Sequence, residues 1–242
     1  MADADKFSSS PDLLIESIQD IARQKGAFKV GFANIESLKD LPVGDSTTLE
    51  YSGAVSFAVE IPEAAVKSAM HDTSEEIREA YKQCNRKLKQ SGEGIVEALT
   101  SVGYKARMID PAERIDRERL LGPISHKAIA RLAGLGWIGR NGLLITPEHG
   151  PRVRMGTVLT NMPMGANTEP MQNDCGDCTA CIDNCPTRSL ARSPDFKDYP
   201  KERDMVINWA KCGKYENALI GDGSRPEKAC GRCIAVCPKS FP

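Results

Sequence analysis

The stretch Cys175-Gly-Asp-Cys178-Thr-Ala-Cys181-Ile-Asp-Asn-Cys185-Pro186 places four thiols within eleven residues. Thiolates are soft metal ligands, and C-x2-C-x2-C-x3-C-P is the run with which bacterial ferredoxins hold iron–sulfur clusters. The spacing has a mechanical reading. Three thiols within seven residues can wrap one face of a four-iron cube. A fourth, if the chain turns helical there, lies about 6 Å further along the axis at ~1.5 Å rise per residue, which suits a neighbouring cube. A partner set is therefore expected. Cys230-Gly-Arg-Cys233-Ile-Ala-Val-Cys237-Pro238 supplies three of its thiols; Glu227 stands where the first would fall, and Cys212 can replace it from further upstream. By the crossed rule, Cys175, Cys178, Cys181 and Cys237 hold one [4Fe–4S] cluster, and Cys212, Cys230, Cys233 and Cys185 the other. Structural zinc is the competing use of C-x2-C pairs. Zinc sites normally use well-separated pairs, however, not three thiols in a row with a fourth and a proline fixed behind them.

The ninth cysteine, Cys84, shares a helical stripe with Ile77, Tyr81 and Leu88, which predicts a packed, inert thiol. A second pattern is "AGLGWIGRNG" (133–142), in which Gly134, Gly136 and Gly139 spell G-x-G-x-x-G. A dinucleotide loop follows a strand and opens a helix, so that phosphate meets the helix N-terminus, with an acid about 20 residues on. Here the glycines follow a helical pattern and precede a strand, and no Asp or Glu occurs between Gly150 and Thr168. The context is reversed, so nucleotide binding of that kind is not expected.

These groups need a scaffold. With 242 residues, 40% of them hydrophobic and 27% charged, the chain can bury a proper core, and one large plus one small domain is the natural division. Ser10-Pro11 reads as a helix start, Leu14, Ile18 and Ile21 share one face, and Gly26 closes the element. Residues 27–33 and 54–61 read as buried strands. A long helix starts near Thr73, where Thr73 and Glu76 form a capping box, and "SGEG" (91–94) breaks it or marks a turn. Residues 104–110 make a third strand, 111–121 a charged loop and 124–133 a helix. Residues 142–146 and 154–161 are expected as an adjacent pair of strands joined by the "PEHGP" turn. The alternation indicates an α/β (α+β) class. Residues 1–162 form the cofactor-binding domain, and 161–174 have linker composition. Residues 173–242 form a small domain with few large apolar side chains, which needs an inorganic staple to stay folded.

A formal net charge of −1 shows no bulk bias toward polyanions. No apolar run approaches the ~20 residues of a membrane helix, and the N-terminus lacks an export pattern, so the expected localisation is cytoplasmic with no membrane partner. Disulfides are rare in that compartment, which again makes the cysteines metal ligands or free thiols.

Taken together, "GPISHKAIARLAGLGWIGRNGLLI" (122–145) and "CGDCTACIDNCPTRSL" (175–190) resemble the epoxyqueuosine reductase family, which is related to the reductive dehalogenases. "GAFKVGFANIE" (26–36) and "YKARMID" (104–110) fit more loosely. The resemblance implies a nitroreductase-like, corrinoid-binding core followed by a bacterial dicluster ferredoxin-like domain. It also implies that electrons from a low-potential donor such as ferredoxin or flavodoxin pass through the clusters to the cobalt of a cobalamin. By position it sets Gly136, Trp137, Ile138, Gly139, Arg140 and Asn141 against the corrin. Glycines allow close backbone approach, Trp137 offers either an aromatic wall or core packing, and Arg140 either a phosphate partner or a solvated charge.

The chain also departs from that family. Leu120 stands where the family's reductase places its proton-donating aspartate, two residues before Gly122, and His126 stands where it has a glutamate. His126 could donate a proton or approach cobalt as an axial ligand; Asp116 and Tyr104 are further donor candidates. The helical-repeat extension that helps the tRNA reductase hold its substrate is not found before the chain stops at "CPKSFP", so a nucleic-acid substrate is not expected. The predicted activity is that of a corrinoid-linked iron–sulfur oxidoreductase. The alternative is a dicluster electron carrier that reduces a corrinoid or other redox centre on a partner protein. A flavin reductase would suit the same core, but no residue specifically asks for flavin.

Overall fold

The computed structural model describes residues 10–38, 48, 50–116, 121–192 and 205–241. Its centre is a four-stranded sheet of β1 (Ala27–Asn34), β2 (Gly53–Glu60), β6 (Val153–Thr160) and β3 (Ala106–Ile109), in the order β1-β2-β6-β3. Every neighbouring pair is antiparallel. Among the described residues the architecture is thus a mixed α+β layer structure. β2 is central and buried on both faces over seven of its eight residues, as its unbroken apolar run requires.

Helices cover both faces. α1 (Pro11–Gln24) and α3 (Glu75–Ser101) bury Leu14, Ile18, Ile77, Leu88, Ile95 and Leu99 against Val55, Phe57, Val59 and Val158. α4 (His126–Leu132) covers the other face, packing Ile129 and Ala130 on Ala54, Ala58 and Leu159. Successive strand residues point to opposite faces, so Val158 and Leu159 necessarily serve different layers. α2 (Glu63–Ser68) joins β2 to the start of α3.

Three local expectations need correction. The long helix is capped by Ser74, not Thr73: Ser74 Oγ accepts from Ile77 N at 3.2 Å and donates to Glu76 at 2.6 Å. Thr73 is instead tied to Asp72, whose carboxylate accepts its backbone N–H at 2.7 Å. Nor does "SGEG" interrupt the helix, which runs through it without a break. Gly92 and Gly94 lie where other elements press closest; a Cβ on Gly92 would collide with Met108, and one on Gly94 would crowd Ile21. The glycines buy proximity, not a turn. Finally, β5 (Leu144–Ile145) does not pair with β6. It pairs with β4 (Trp137–Ile138), making a small separate hairpin around the glycine turn. The segment between β5 and β6 folds on itself through a Thr146–Gly150 bridge, which frees β6 to join the main sheet.

The cysteine-rich tail packs on this body. Its helices are α5 (Ala180–Asp183), α6 (Trp209–Ile220) and α7 (Arg232–Ala235). Ala229, Ile234 and Ala235 belong to the same apolar cluster as Ile77, Val66 and Ala69. Ser74 and Ala229 exchange backbone hydrogen bonds of 3.0 Å in each direction. No helix among the described residues is long and apolar enough to cross a membrane.

Candidate metal centre

The tail cysteines lie close enough to act on one another electrostatically. Cys181 is pushed up to about 12, first by burial and then by Cys237, Cys175 and Cys178. Cys237 is raised by burial and by Cys175 and Cys178 in turn. Cys212 is pushed up to about 11 by burial, by Glu216 and then by Cys230 and Cys185. Cys233 is driven well above the ordinary thiol range by burial, followed by Cys230, Cys212, Cys181 and Cys185. Cys185 is the exception: burial raises it, but the Thr187 hydroxyl at 3.5 Å and the Ser189 N–H at 3.3 Å outweigh that and hold the thiol low. Cys178 is exposed, Cys181 is buried, and the other six are partly buried.

Crowded, half-buried thiols repel one another as thiolates and need cations among them. Among the described residues no three His, Cys, Asp or Glu side chains converge on a site for one metal ion. A tetrahedral zinc site brings its sulfurs within roughly 4 Å of one another, from Zn–S bonds of about 2.3 Å. A four-iron cube keeps its thiolates at separate corners, farther apart. An all-thiol donor set of this kind suits iron–sulfur chemistry. Glu227, at the position of the expected cysteine, instead pairs with Arg78 and Lys82 of α3, each at 2.9 Å, and anchors the loop before Cys230.

The glycine turn lies beside this centre and is bound to it. Arg140 donates to the Gly176 carbonyl from Nε at 3.0 Å and from Nη2 at 2.8 Å. Asn141, buried, donates to the Cys233 carbonyl at 3.3 Å and accepts from Leu143 N at 3.0 Å. Asn173 bridges back, donating to the Ile138 carbonyl at 2.9 Å while its oxygen accepts from Cys175 N at 2.8 Å. A Cβ at Gly136 would collide with the Ile145 carbonyl, and one at Gly139 with the Ile145 side chain, so both glycines serve the β4–β5 hairpin. Trp137 and Ile138 are core residues. Lys127 of α4 adds a further tie, donating to the Gly142 carbonyl at 2.5 Å with its ammonium 4.6 Å above the Trp209 ring.

The six turn residues expected to touch a corrin thus have other partners, apart from Trp137, whose buried indole N–H lacks an acceptor among the described residues. A cavity of about 230 Å³ beside Asp110, lined by Lys89, Glu93, Met108 and Glu113, is below the usual small-ligand size. The turn fastens the body to the cysteine-rich tail.

The proposed proton donors are not brought together. His126 starts α4, and its Nδ1 lies 2.8 Å from the Thr157 hydroxyl. Burial, with Arg154 and Arg114 nearby, pushes its imidazole down to about 4, so it is neutral at pH 7. Thr157 is opposite Ile109, whereas Tyr104 precedes the other end of β3. Five residues of strand, about 16 Å, separate Tyr104 from that site. Asp116 forms a backbone bridge with Leu121, and Leu120 lies outside the described residues. Sequence reasoning missed Asn173, Asn208 and Arg152. Asn208 caps α6, accepting from Lys211 N at 3.0 Å. Arg152, nearly fully buried, donates to the Ser240 carbonyl at 2.5 Å, Glu60 at 2.6 Å and the Ile61 carbonyl at 2.9 Å. An Asn just before a helical pattern was the available signal for Asn208. Nothing local marks Asn173 or Arg152.

With the geometry established, the class of fold can be stated. The fold is shared with the reductive dehalogenases and the epoxyqueuosine reductases. The chain superimposes on a catabolic reductive dehalogenase with a TM-score of 0.75 and 19% identity, over 100% of this chain and 33% of that one. Another dehalogenase structure, described with a mechanism for B12-dependent dehalogenation, gives a TM-score of 0.73 at 19% identity over 93% of this chain and 31% of that one. The epoxyqueuosine reductase from Streptococcus thermophilus gives 0.60 at 20% identity, over 93% of this chain and 66% of that one.

In sequence the chain is similar to the epoxyqueuosine reductases. It is 30% identical to that of Aliivibrio fischeri over 171 residues, 66% of this chain and 40% of the relative. It is 51% identical to that of Gloeobacter violaceus over 127 residues, 48% of this chain and 36% of the relative. The chain therefore spans at most 40% of the length of these two relatives. No protein-family model matches it.

Proposed function

We propose that this chain is an iron–sulfur oxidoreductase in which Cys175, Cys178, Cys181 and Cys237 hold one [4Fe–4S] cluster and Cys185, Cys212, Cys230 and Cys233 a second. Low-potential electrons, one at a time, pass from a reduced carrier such as a ferredoxin or flavodoxin through the clusters toward a corrinoid. What supports this reading is the C-x2-C-x2-C-x3-C-P run and its partner run at Cys230, Cys233 and Cys237, together with the mutual electrostatic influence of the eight thiols. Residues 173–242 are the cluster module, and residues 1–162 are the body to which Arg140, Asn141 and Lys127 fasten it. The resemblance to a protein linked to B12-dependent dehalogenation supports a corrinoid acceptor.

A second reading has its own support. Arg140 and Asn141 are engaged with the tail and not free for a corrin, which favours an acceptor carried on a partner protein. In both readings the net charge of −1 argues against nucleic acid as substrate.

Iron, cobalt and acid-labile sulfide are measured on anaerobically purified chain. About eight irons per chain with cobalt supports the first reading, and iron without cobalt the second. Cys178→Ser halves the iron and removes one cluster's electron paramagnetic resonance (EPR) signal. Zinc in place of iron, or undiminished iron in Cys178→Ser, refutes the ligand assignment.

A further inference from the structure

The two cysteine sets have unlike electrostatic surroundings. Beside the second set stands Glu216, one helical turn beyond Cys212 on α6. Its Oε1 accepts the backbone N–H of Cys230 at 3.2 Å. Among the described residues it forms no salt bridge, although Arg78 acts on it from a distance. Arg78, the nearest candidate, is bonded to Glu227. Beside the first set the carboxylates are exposed to solvent, Asp177 lying between Cys175 and Cys178 in the chain. There Asp174 is neutralised by Lys239, whose ammonium acts on Cys237 and Cys175 from the cationic side.

A carboxylate at that point does two things to a cluster bound by Cys212 and Cys230. It places a fixed negative charge where reduction would add another, and it withdraws a backbone N–H that would otherwise stabilise cluster or thiolate sulfur. Both effects oppose electron uptake, since net charge and hydrogen bonds to sulfur set cluster potentials. Lys127 works in the opposite direction on Cys212, as does Arg232 on Cys230.

We infer that Glu216 is a positioning and tuning residue that makes the Cys185–Cys212–Cys230–Cys233 cluster the lower-potential member of the pair. This rests on the two-cluster reading above. The order suits the placement of the sets. The first set includes the exposed Cys178, open to a donor, whereas the second includes Cys233, whose carbonyl is held by Asn141 of the body. An electron delivered to the first cluster is thus handed uphill to a more strongly reducing one against the body. Each transfer moves one electron from a reduced carrier, and no bond is made or broken.

The test is an EPR-monitored redox titration of full-length chain carrying both clusters, with iron assayed on the same samples. Glu216→Gln keeps an oxygen for the Cys230 N–H and removes only the charge. It shifts the reduced-to-oxidised ratio of the lower-potential cluster about tenfold toward reduced at fixed potential, about 59 mV for one electron. The other cluster stays within a third of that. Glu216→Asp keeps the lower wave low, and the shift persists in a Cys178→Ser background. Full iron with both midpoints unmoved in Glu216→Gln overturns the inference and leaves the cluster reading intact, as does a shift confined to the higher-potential wave. Unaltered chain without two clusters refutes both.

Discussion

Arg152 offers the sharpest test of how the tail is held. Its side chain is 5% exposed and bridges two segments: Glu60 and Ile61 at the end of β2, and Ser240 three residues beyond Cys237. It also lies 5.8 Å from the Phe241 ring centre. Arg152→Ala strands the Ile61 and Ser240 carbonyls in residues that are themselves 0% exposed. Each unsatisfied buried acceptor costs about 1–3 kcal/mol. Glu60, at 42% exposure, is re-solvated and adds little. The sum is about 3 kcal/mol, which for a chain of this size lowers Tm by about 6–12 °C at roughly 2–4 °C per kcal/mol. Arg152→Lys keeps the charge but not the fork, so it retains the Glu60 contact and loses about half as much. Thermal unfolding followed by circular dichroism, with iron retention measured after mild heating, reads both effects. An Arg152→Ala protein that melts within about 1 °C of the unaltered chain and keeps its iron would refute the clasp.

Other outcomes follow from the same structure. Asn141→Ala removes the bond to the Cys233 carbonyl and leaves that acceptor to water, so limited proteolysis between the body and the tail accelerates severalfold while iron content is unchanged. A tail that stays equally resistant argues against the clamp. His126 has a folded pKa of about 4, below its unfolded value near 6.5. The unfolded chain therefore binds the proton first as pH falls. Stability from this group is full above about pH 6.5 and is lost toward pH 4, by at most ~1.4 kcal/mol per pH unit and about 3 kcal/mol in all. Urea midpoints between pH 5.5 and 7.5 fall accordingly, and His126→Gln flattens the trend; an unchanged slope in that variant would mean another group is responsible.

The spacing of the cysteines and the helix faces were legible in the linear chain because both depend on local sequence. Three thiols two residues apart wrap a cluster wherever the segment sits, and Leu14, Ile18 and Leu88 face inward by helical periodicity alone. The reversed context of the glycine triplet was equally plain. The partners of the turn were not. Arg140 meets Gly176, Asn141 meets Cys233 and Arg152 meets Ser240 across 36, 92 and 88 residues. Such bonds are made by whichever backbone group the packed elements bring within reach, and no periodicity encodes that. The same holds for β6, which spacing paired with β5 but which the apolar faces of β2 and β3 claimed for the main sheet. Residue types thus determined what chemistry the tail can do, whereas only the tertiary packing decided that the glycine turn grips that tail and that Glu216 meets the Cys230 N–H.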